Sequence, residues 1–160
     1  MIVYFSRSHL RNKHSYGYYR FFAFEFILLL IVTNLKVWFN DPFSLTQILS
    51  WLSLLASLYL AISGFGLLGV KKAADTVEST VLIDSGIYGK IRHPLYSSLL
   101  FLALGAFLKK PELFPAILLF GAAFTTFTTA RTEESLNTEK FGERYEDYAG
   151  RTKMFVPYLF

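Results

Sequence analysis

The sequence contains no cysteine and only three histidines in 160 residues. Without cysteine the chain can form no disulfide, no thiolate metal site and no thiol nucleophile, so covalent cysteine catalysis is excluded. The histidines, His9, His14 and His93, form no metal-binding pair at helical spacing, which argues against a zinc or di-iron site. Since the sequence also shows no internal repeat, low-complexity tract or second domain, we expect one domain over residues 1–160 and no bound metal.

What the chain has in abundance is apolar surface. Hydrophobic residues make up 53% of it, aromatic residues make up 18%, and the mean hydropathy is +0.38, which predicts a protein of the lipid bilayer. The net charge of +4 and the pI near 9.3 could suggest nucleic acid, but the basic residues lie beside apolar spans and not in one interleaved patch. We therefore expect contact with membrane lipids, in particular an anionic leaflet, and no nucleic acid.

Apolar spans along the chain predict an all-α integral membrane protein with about four transmembrane helices. The spans are Phe21–Phe39, Leu45–Val70, Pro94–Leu108 and Glu112–Ala130. The third would be only about 22 Å long as a helix, which is short for a full crossing. Two charges interrupt the first span: Lys36 is expected to snorkel to the interface, and Glu25 is expected either at the interface or facing the bundle interior.

The distribution of basic residues predicts the orientation in the membrane. Most of them lie in segments 1–20, 71–93 and 131–160. By the positive-inside rule, both termini and the 71–93 connection are therefore expected on the cytoplasmic side. Lys109 and Lys110, in the short turn between the third and fourth spans, are the observation against this orientation.

The composition changes sharply at residue 131, where charged residues replace the apolar run. Apolar residues recur among these charges at near-helical spacing: Leu136, Phe141, Tyr145 and Tyr148. This pattern predicts an amphipathic cytoplasmic helix on the membrane surface over residues 131–148, with Gly150 as its stop. The apolar tail, residues 154–160, is expected to fold back onto the protein or the lipid.

A short basic loop, residues 84–96, runs directly into the third span. Proline suits the first position of a helix, so Pro94 marks the helix start and leaves the N–H groups of the first turn unpaired. Those donors and Arg92 together predict a site for a carboxylate or a phosphate. Glycines that permit tight bends and tyrosines that offer hydroxyls and flat faces complete the loop: Gly86, Gly89, Tyr88 and Tyr96.

The short turn between the third and fourth spans brings two polar segments to the same membrane depth. Glu133 and Glu134, just beyond the fourth span, are expected to lie beside Arg92 and His93. An anion-binding helix start next to a pair of carboxylates suits a zwitterionic ligand. The alternative is a set of interfacial ion pairs that tie the loop to the surface helix, and the spacing alone leaves both interpretations open.

Small residues cluster near the end of the second span, in residues 63–69. Within this cluster, Gly64 and Gly66 allow another backbone or a ligand to approach the helix closely. Either helix packing or a cofactor that passes over this part of the helix would explain them.

The polar segments together carry an ordered set of motifs. The motifs are Gly86-x-Tyr88-x-x-x-Arg92-His93-Pro94-x-Tyr96, Glu133-Glu134, Phe141-Gly142-x-x-Tyr145-x-x-Tyr148 and Phe155-Val156-Pro157. In this order, with an apolar hairpin after the first, they closely resemble the isoprenylcysteine carboxyl methyltransferase and phospholipid methyltransferase superfamily. The resemblance covers about residues 84–157, and its specificity comes from the combined order and spacing, because Arg-His-Pro alone is a weak signal.

This resemblance implies an integral membrane methyltransferase that uses S-adenosylmethionine, with the cofactor facing the cytoplasm and a lipophilic acceptor entering from the bilayer. Residues 1–70 would form a basic segment and two scaffold spans, and residues 71–160 the cofactor-binding loop, the hairpin and the surface helix. The cofactor-binding elements of the family map onto Gly64, Gly66, Tyr88, Arg92, His93, Pro94, Tyr96, Glu133 and Glu134.

Two residues are catalytic candidates by the same resemblance. His93 would act as the base for an amine or thiol acceptor, whereas a carboxylate acceptor needs no proton removed. Arg131 stands immediately before Thr132-Glu133-Glu134, where isoprenylcysteine enzymes usually carry an arginine ahead of a longer acidic run. Because methyl transfer from a sulfonium is an in-line displacement on an activated donor, alignment and desolvation can supply most of the rate.

The acceptor stays open between an isoprenylcysteine-like carboxylate and a phospholipid amine. Two other functions also stay open. The chain could be a non-catalytic four-span membrane protein that keeps only the scaffold. It could also be a membrane NADPH-dependent reductase, because membrane sterol reductases resemble the same C-terminal half, although their chains are much longer.

Overall fold

The computed structural model describes residues 16–74 and 82–157, and within these ranges the chain is helical with no strand. The α-helices are α1 (Tyr16–Asn34), α2 (Leu45–Ala74), α3 (Pro94–Leu108), α4 (Leu113–Phe141) and α5 (Glu143–Arg151). Short 3-10 turns lie at Leu35–Val37 and Gly86–Gly89. The predicted basic segment before residue 16, part of the 71–93 connection and the last three residues of the tail lie outside the described residues.

Within the described ranges, two helices are long and apolar enough to cross a membrane: residues Leu45–Leu68 of α2, and α4. The apolar side chains of α2 are mostly exposed, as expected for a helix that faces lipid and unlike the core helix of a soluble protein. Helix α3 is apolar but has only 15 residues. The expected all-helical membrane fold is confirmed at this level, and the count of four spans stays a prediction.

Helix α3 lies at the centre of the bundle, where it packs against α1, α2 and α4. It begins at the buried Pro94 and ends at Leu108, as the sequence predicts. Proline at its first position starts it, and the turn at residues 109–112 stops it before Pro111 could enter a helix. These bounds place the loop before α3 and the end of α4 side by side.

Serines of α2 hold α3 close along most of its length. Each donates a 2.7 Å hydrogen bond to a backbone carbonyl of α3: Ser50 to Gly105, Ser53 to Phe101 and Ser57 to Ser98. Gly105 makes the approach possible, since a Cβ there would lie 2.8 Å from the side chain of Leu54. As the residue numbers of the donors rise along α2, those of the acceptors fall along α3, so the two helices are antiparallel.

A second contact joins α1 to α4, with α3 between them on one side. The buried apolar residues of this core are Ile27, Leu30, Ala103, Ala106, Leu118 and Ala122. Several are alanines, so the helices can pack closely through van der Waals contact, which is the main source of helix association in lipid.

Helix α1 does not end at Phe39 as predicted, but at Asn34. The Asn34 side chain is fully buried and donates from Nδ2 to the backbone oxygen of Ala106 at 2.8 Å, and a 3-10 turn follows it. The prediction from hydropathy extended the helix to the end of the apolar stretch, because hydropathy does not report a hydrogen bond to a distant helix. Glu25 consequently lies near the middle of α1 and is half-buried.

The predicted separate surface helix from residue 131 is wrong in its first half, because α4 continues without a break to Phe141. The helix ends instead at Gly142, whose φ of +55° is a conformation that other residues rarely adopt. Gly150, the predicted stop, lies inside α5. The change of composition at residue 131 therefore marks a change of surroundings along one helix and not the end of it.

Candidate functional site

The loop before α3 is paired with the chain after α5. Arg92 N donates to Lys153 O at 2.7 Å, and His93 N donates to Met154 O at 3.1 Å. Inside the bundle, Ser97 Oγ donates to Phe155 O at 2.7 Å. The described part of the apolar tail thus folds onto the protein, the first of the two predicted alternatives, and it fixes the backbone on both sides of the site.

The guanidinium of Arg92 joins three elements. Its Nε donates to Glu134 Oε1 at 2.6 Å, and its Nη1 donates to the backbone oxygens of Ala149 at 2.9 Å and Thr152 at 2.6 Å. Those oxygens lie at the C-terminal end of α5, where a cation satisfies unpaired carbonyls. Arg92 therefore ties α5 to α4 and commits its Nε and Nη1 donors to the protein, which differs from the predicted carboxylate or phosphate contact.

His93 and Glu134 meet beneath this arginine. Nε2 of His93 lies 3.4 Å from Glu134 Oε1, and the histidine is buried. Among the described residues this nitrogen has no hydrogen-bond partner. Arg131 Nη1 also reaches Glu134, at 3.3 Å from Oε2. The predicted approach to Arg92-His93 is thereby confirmed for Glu134, and a buried ring nitrogen is left where a ligand could pair with it.

The second carboxylate is held by a tyrosine one turn into α3. Tyr96 donates its hydroxyl to Glu133 Oε2 at 2.7 Å. The ring of His93 lies between aromatic neighbours, with centroid distances of 5.4 Å to Tyr96 and 6.0 Å to Phe155. Both carboxylates and the imidazole therefore converge on one small region at the start of α3.

Tyr88 lies at the edge of this cluster, under α5. Its backbone oxygen accepts a 2.8 Å hydrogen bond from the Tyr148 hydroxyl. Burial, together with the negative charge of Glu133, raises the pKa of Tyr88 to about 12. Burial likewise raises the pKa of Tyr145 to about 12, with the charge of Glu134 adding to the effect. These phenols stay neutral at physiological pH and can donate hydrogen bonds.

The predicted glycines have different surroundings. A Cβ on Gly64 would lie 2.7 Å from Leu95, so this glycine allows close packing of α2 on the start of α3. Gly66 faces open space, on another side of α2 because residues two apart do not share a helix face. Gly86 combines a φ of +60° with a close approach to Leu67, which confirms the predicted tight bend. The structure does not bring Gly66 to the cluster.

Two cavities open beside Arg92. The larger, of about 640 Å³, lies between α4 and α5, and its charged lining residues are Arg92, Arg131, Glu134, Glu139 and Glu146. The smaller, of about 340 Å³, lies on the side of residues 149–154. Within the described ranges, no group of three or more potential metal ligands occurs.

Sequence reasoning did not find how Ser97 and the carbonyls of residues 149 and 152 support the site. A lone serine in an apolar helix and backbone oxygens carry no pattern that points to such a role. The repeated tyrosines after residue 141 were the available signal for the packing of α5 over Tyr88, because Tyr145 and Tyr148 are both buried there.

Comparison with known proteins finds relatives among methyltransferases. The chain is 33% identical over 118 residues to methanethiol S-methyltransferase of Pseudomonas deceptionensis, covering 69% of this chain and 43% of that protein. It is 32% identical over 119 residues to methanethiol S-methyltransferase 2 of Bradyrhizobium diazoefficiens, covering 70% and 44%. The chain thus spans less than half the length of these relatives. No protein-family model and no solved structure matches it.

Proposed function

We propose that this chain, which belongs to the isoprenylcysteine carboxyl methyltransferase-like family of integral membrane proteins, transfers a methyl group from S-adenosylmethionine to an apolar nucleophile. The observation that carries the proposal is the convergence of His93, Glu133 and Glu134 at the start of α3. Both relatives are named methyltransferases, which supports the same class of reaction here. We further propose four spans with both termini on the cytoplasmic side.

The contacts of the hairpin turn support this orientation. Lys109 is buried, and Lys110 forms an ion pair with Glu112 at 2.9 Å. One of the two lysines is thus packed inside the protein and the charge of the other is neutralised, so the turn contributes little exposed positive charge to the positive-inside comparison.

The residues at the site fit a ligand with both positive and negative groups. Glu133 can bind an ammonium group or ribose hydroxyls, and His93 Nε2 is a buried nitrogen whose missing partner a ligand could supply. The larger cavity falls in the range of small-molecule sites, about 300–1,000 Å³. S-adenosylmethionine would supply a methyl group already activated on a sulfonium. Because Arg92 is engaged by the protein, we assign it the support of Glu134 and α5.

The chain's own residues would then align the reactants and exclude water. Tyr96 and Phe155 pack against the imidazole ring of His93 and fix its position, and Glu134 Oε1 lies 3.4 Å from Nε2. If the acceptor is a thiol, His93 is positioned to take its proton. If it is a carboxylate, alignment and desolvation suffice. Arg131 and Gly66 stay predictions, since one is largely exposed and the other lies away from the cluster.

The apolar helices and the relatives support a proposal for the acceptor. Exposed apolar side chains run along α2 and α4 as far as the site end of the bundle, so a lipophilic acceptor can arrive from the bilayer. The relatives are named for a small thiol, methanethiol. We therefore propose an apolar thiol ahead of an isoprenylcysteine-like carboxylate or a phospholipid amine.

A binding experiment tests the cofactor. Detergent-purified protein is titrated with S-adenosylhomocysteine and, separately, with NADPH by calorimetry. A rise in the melting temperature provides a second measure of binding, because a ligand that binds only the native state stabilises it. We expect S-adenosylhomocysteine to bind, His93→Ala and Glu133→Gln to weaken that binding at least tenfold, and Glu112→Gln, at the opposite end of the bundle, to leave it unchanged. Binding of NADPH alone would overturn the proposal in favour of a reductase.

A transfer experiment tests the acceptor. Protein in lipid nanodiscs receives a methyl-labelled donor with either short-chain alkanethiols or an extract of membrane lipids. We expect label in the thioether product. Label found only in the lipid fraction would reject the thiol and point to a phospholipid acceptor.

A further inference from the structure

One exposed face of α4 is a continuous apolar stripe that ends abruptly in a charge. The stripe recurs every three or four residues: Leu113, Ile117, Phe120, Phe124 and Phe127. The next position on the same face is Arg131, whose side chain is 65% exposed. An exposed apolar stripe on a membrane helix faces lipid, so the step from Phe127 to Arg131 marks the depth at which hydrocarbon gives way to phospholipid headgroups.

The smaller cavity lies at this depth. It has a volume of about 340 Å³, and its lining includes Arg92, Phe127, Arg131, Lys153 and Met154. Three of these side chains are cations, and among the described lining residues there is no carboxylate. The larger cavity on the other side of Arg92 is different, because glutamates line it as well. The smaller cavity thus combines a cationic wall with an apolar floor.

Two of the three cations are placed to bind a ligand. Arg92 directs Nε to Glu134 and Nη1 to two backbone oxygens, so three of its five N–H donors are engaged and it is assigned mainly a charge contribution. Arg131 makes one long contact to Glu134, at 3.3 Å, through one nitrogen of a group that carries five N–H donors. Lys153 is exposed, and its backbone is fixed by pairing with Lys90. A guanidinium and an ammonium at one rim form a typical phosphate site.

We propose that this cavity binds the phosphodiester of an anionic phospholipid, with Arg131 and Lys153 on the phosphate and an acyl chain along Phe127 and Phe124. The charge of the lining selects an anionic headgroup, and the stripe on α4 accommodates the chain. Soluble phosphates share the headgroup chemistry but cannot use the stripe. This site goes beyond methyl transfer and does not depend on it.

The test is native mass spectrometry of the full chain released from detergent in the presence of phosphatidylglycerol. We expect Arg131→Gln/Lys153→Gln to bind phosphatidylglycerol at least tenfold more weakly than the wild type. The matched control is Lys36→Gln/Lys110→Gln, which removes two exposed lysines from the opposite end of the bundle and should leave binding within twofold. The charge-preserving Arg131→Lys/Lys153→Arg variant should retain most of the binding.

Three outcomes would overturn the proposal. In one, both double variants lose binding equally, so the effect is only net charge. In another, glycerol 3-phosphate displaces phosphatidylglycerol at the same concentration, so the site takes a soluble phosphate. In the third, phosphatidylcholine binds as tightly as phosphatidylglycerol, so the cationic side chains do not select an anionic headgroup. Failure of S-adenosylhomocysteine to bind would reject the proposed methyl transfer and leave this lipid site untouched, so the two proposals fail separately.

Discussion

A cation lies largely shielded from solvent near each end of α3, Arg92 with 14% of its side chain exposed and the buried Lys109, and the two are held by different means. Before the helix, Arg92 meets the carboxylate of Glu134 at 2.6 Å. After it, Lys109 lies 3.6 Å from the centre of the Trp51 ring and donates to Gln47 Oε1 at 2.9 Å, with Trp38 on another side. Among the described residues Lys109 has no ion-pair partner. One end of the bundle uses carboxylates and the other uses aromatic rings and an amide.

This difference indicates that the end at Arg92 is a site for a ligand and that the end at Lys109 is a structural contact. Buried polar atoms without a hydrogen bond occur at both ends, His93 Nε2 at one and Asn34 Oδ1 at the other, so such an atom alone does not identify a ligand site. At the first end the carboxylates of Glu133 and Glu134 lie near the buried atom, and two cavities open beside the neighbouring Arg92. At the second end, rings and an amide enclose the cation, which fastens the hairpin turn to α2.

The largest expected effect is at the carboxylate end. Glu134→Ala leaves Arg92, whose side chain is only 14% exposed, without its counter-charge, so we expect the free energy of unfolding to fall by about 3 kcal/mol. The measurement is reversible denaturant unfolding in mixed micelles. Glu112→Ala is the matched control, because its exposed ion pair with Lys110 should contribute less than about 1 kcal/mol. Equal losses in the two variants would contradict a special role for burial at this end.

A smaller effect is expected at the aromatic end. Lys109→Met removes the cation–π contact and the hydrogen bond to Gln47 but leaves no opposite charge unpaired, so the loss should be about 2 kcal/mol. The same micelle titration measures it, with Lys110→Met as the exposed neighbour that should change little. A loss as large as that of Glu134→Ala would show that the two ends are equivalent after all.

The comparison also shows what the sequence could predict. The bounds of α3 were predictable because Pro94 and Pro111 are strong local signals on either side of it. The meeting of Glu133-Glu134 with Arg92-His93 was predictable because a very short turn leaves the two arms no other arrangement. Both are consequences of local chain geometry.

The missed features depend on contacts between distant residues. The end of α1 depends on a buried bond from Asn34 to α3, and the partners of Arg92 include carbonyls about 60 residues away, which no pattern announces. Lys109 counted as an exposed charge in the sequence, since nothing near it in the chain reveals Trp38 and Trp51 closing around it. A helix beyond residue 131 was predicted, but its continuity with the fourth span was missed, because a change of polarity reports the surroundings of a helix and not a break in its backbone.

The smallest expected effect is a difference in how the two ends respond to alkaline pH. At the site end, burial raises the pKa values of Tyr88 and Tyr145 to about 12, and it raises the pKa of Tyr148 further. A raised pKa means that the folded state keeps the phenol protons to a higher pH than the unfolded state does, so this contribution to stability is complete below about pH 10 and is lost above it.

At the turn end, burial lowers the pKa of Lys109, so stability rises with pH until about 10.4, where the unfolded lysine also loses its proton. Melting temperatures measured in half-unit steps from pH 8.5 to 11.5 separate the two: Lys109→Met should remove the early rise, and Tyr148→Phe should reduce the later fall. Curves for both variants that run parallel to the wild type would show that neither end carries these linked protons.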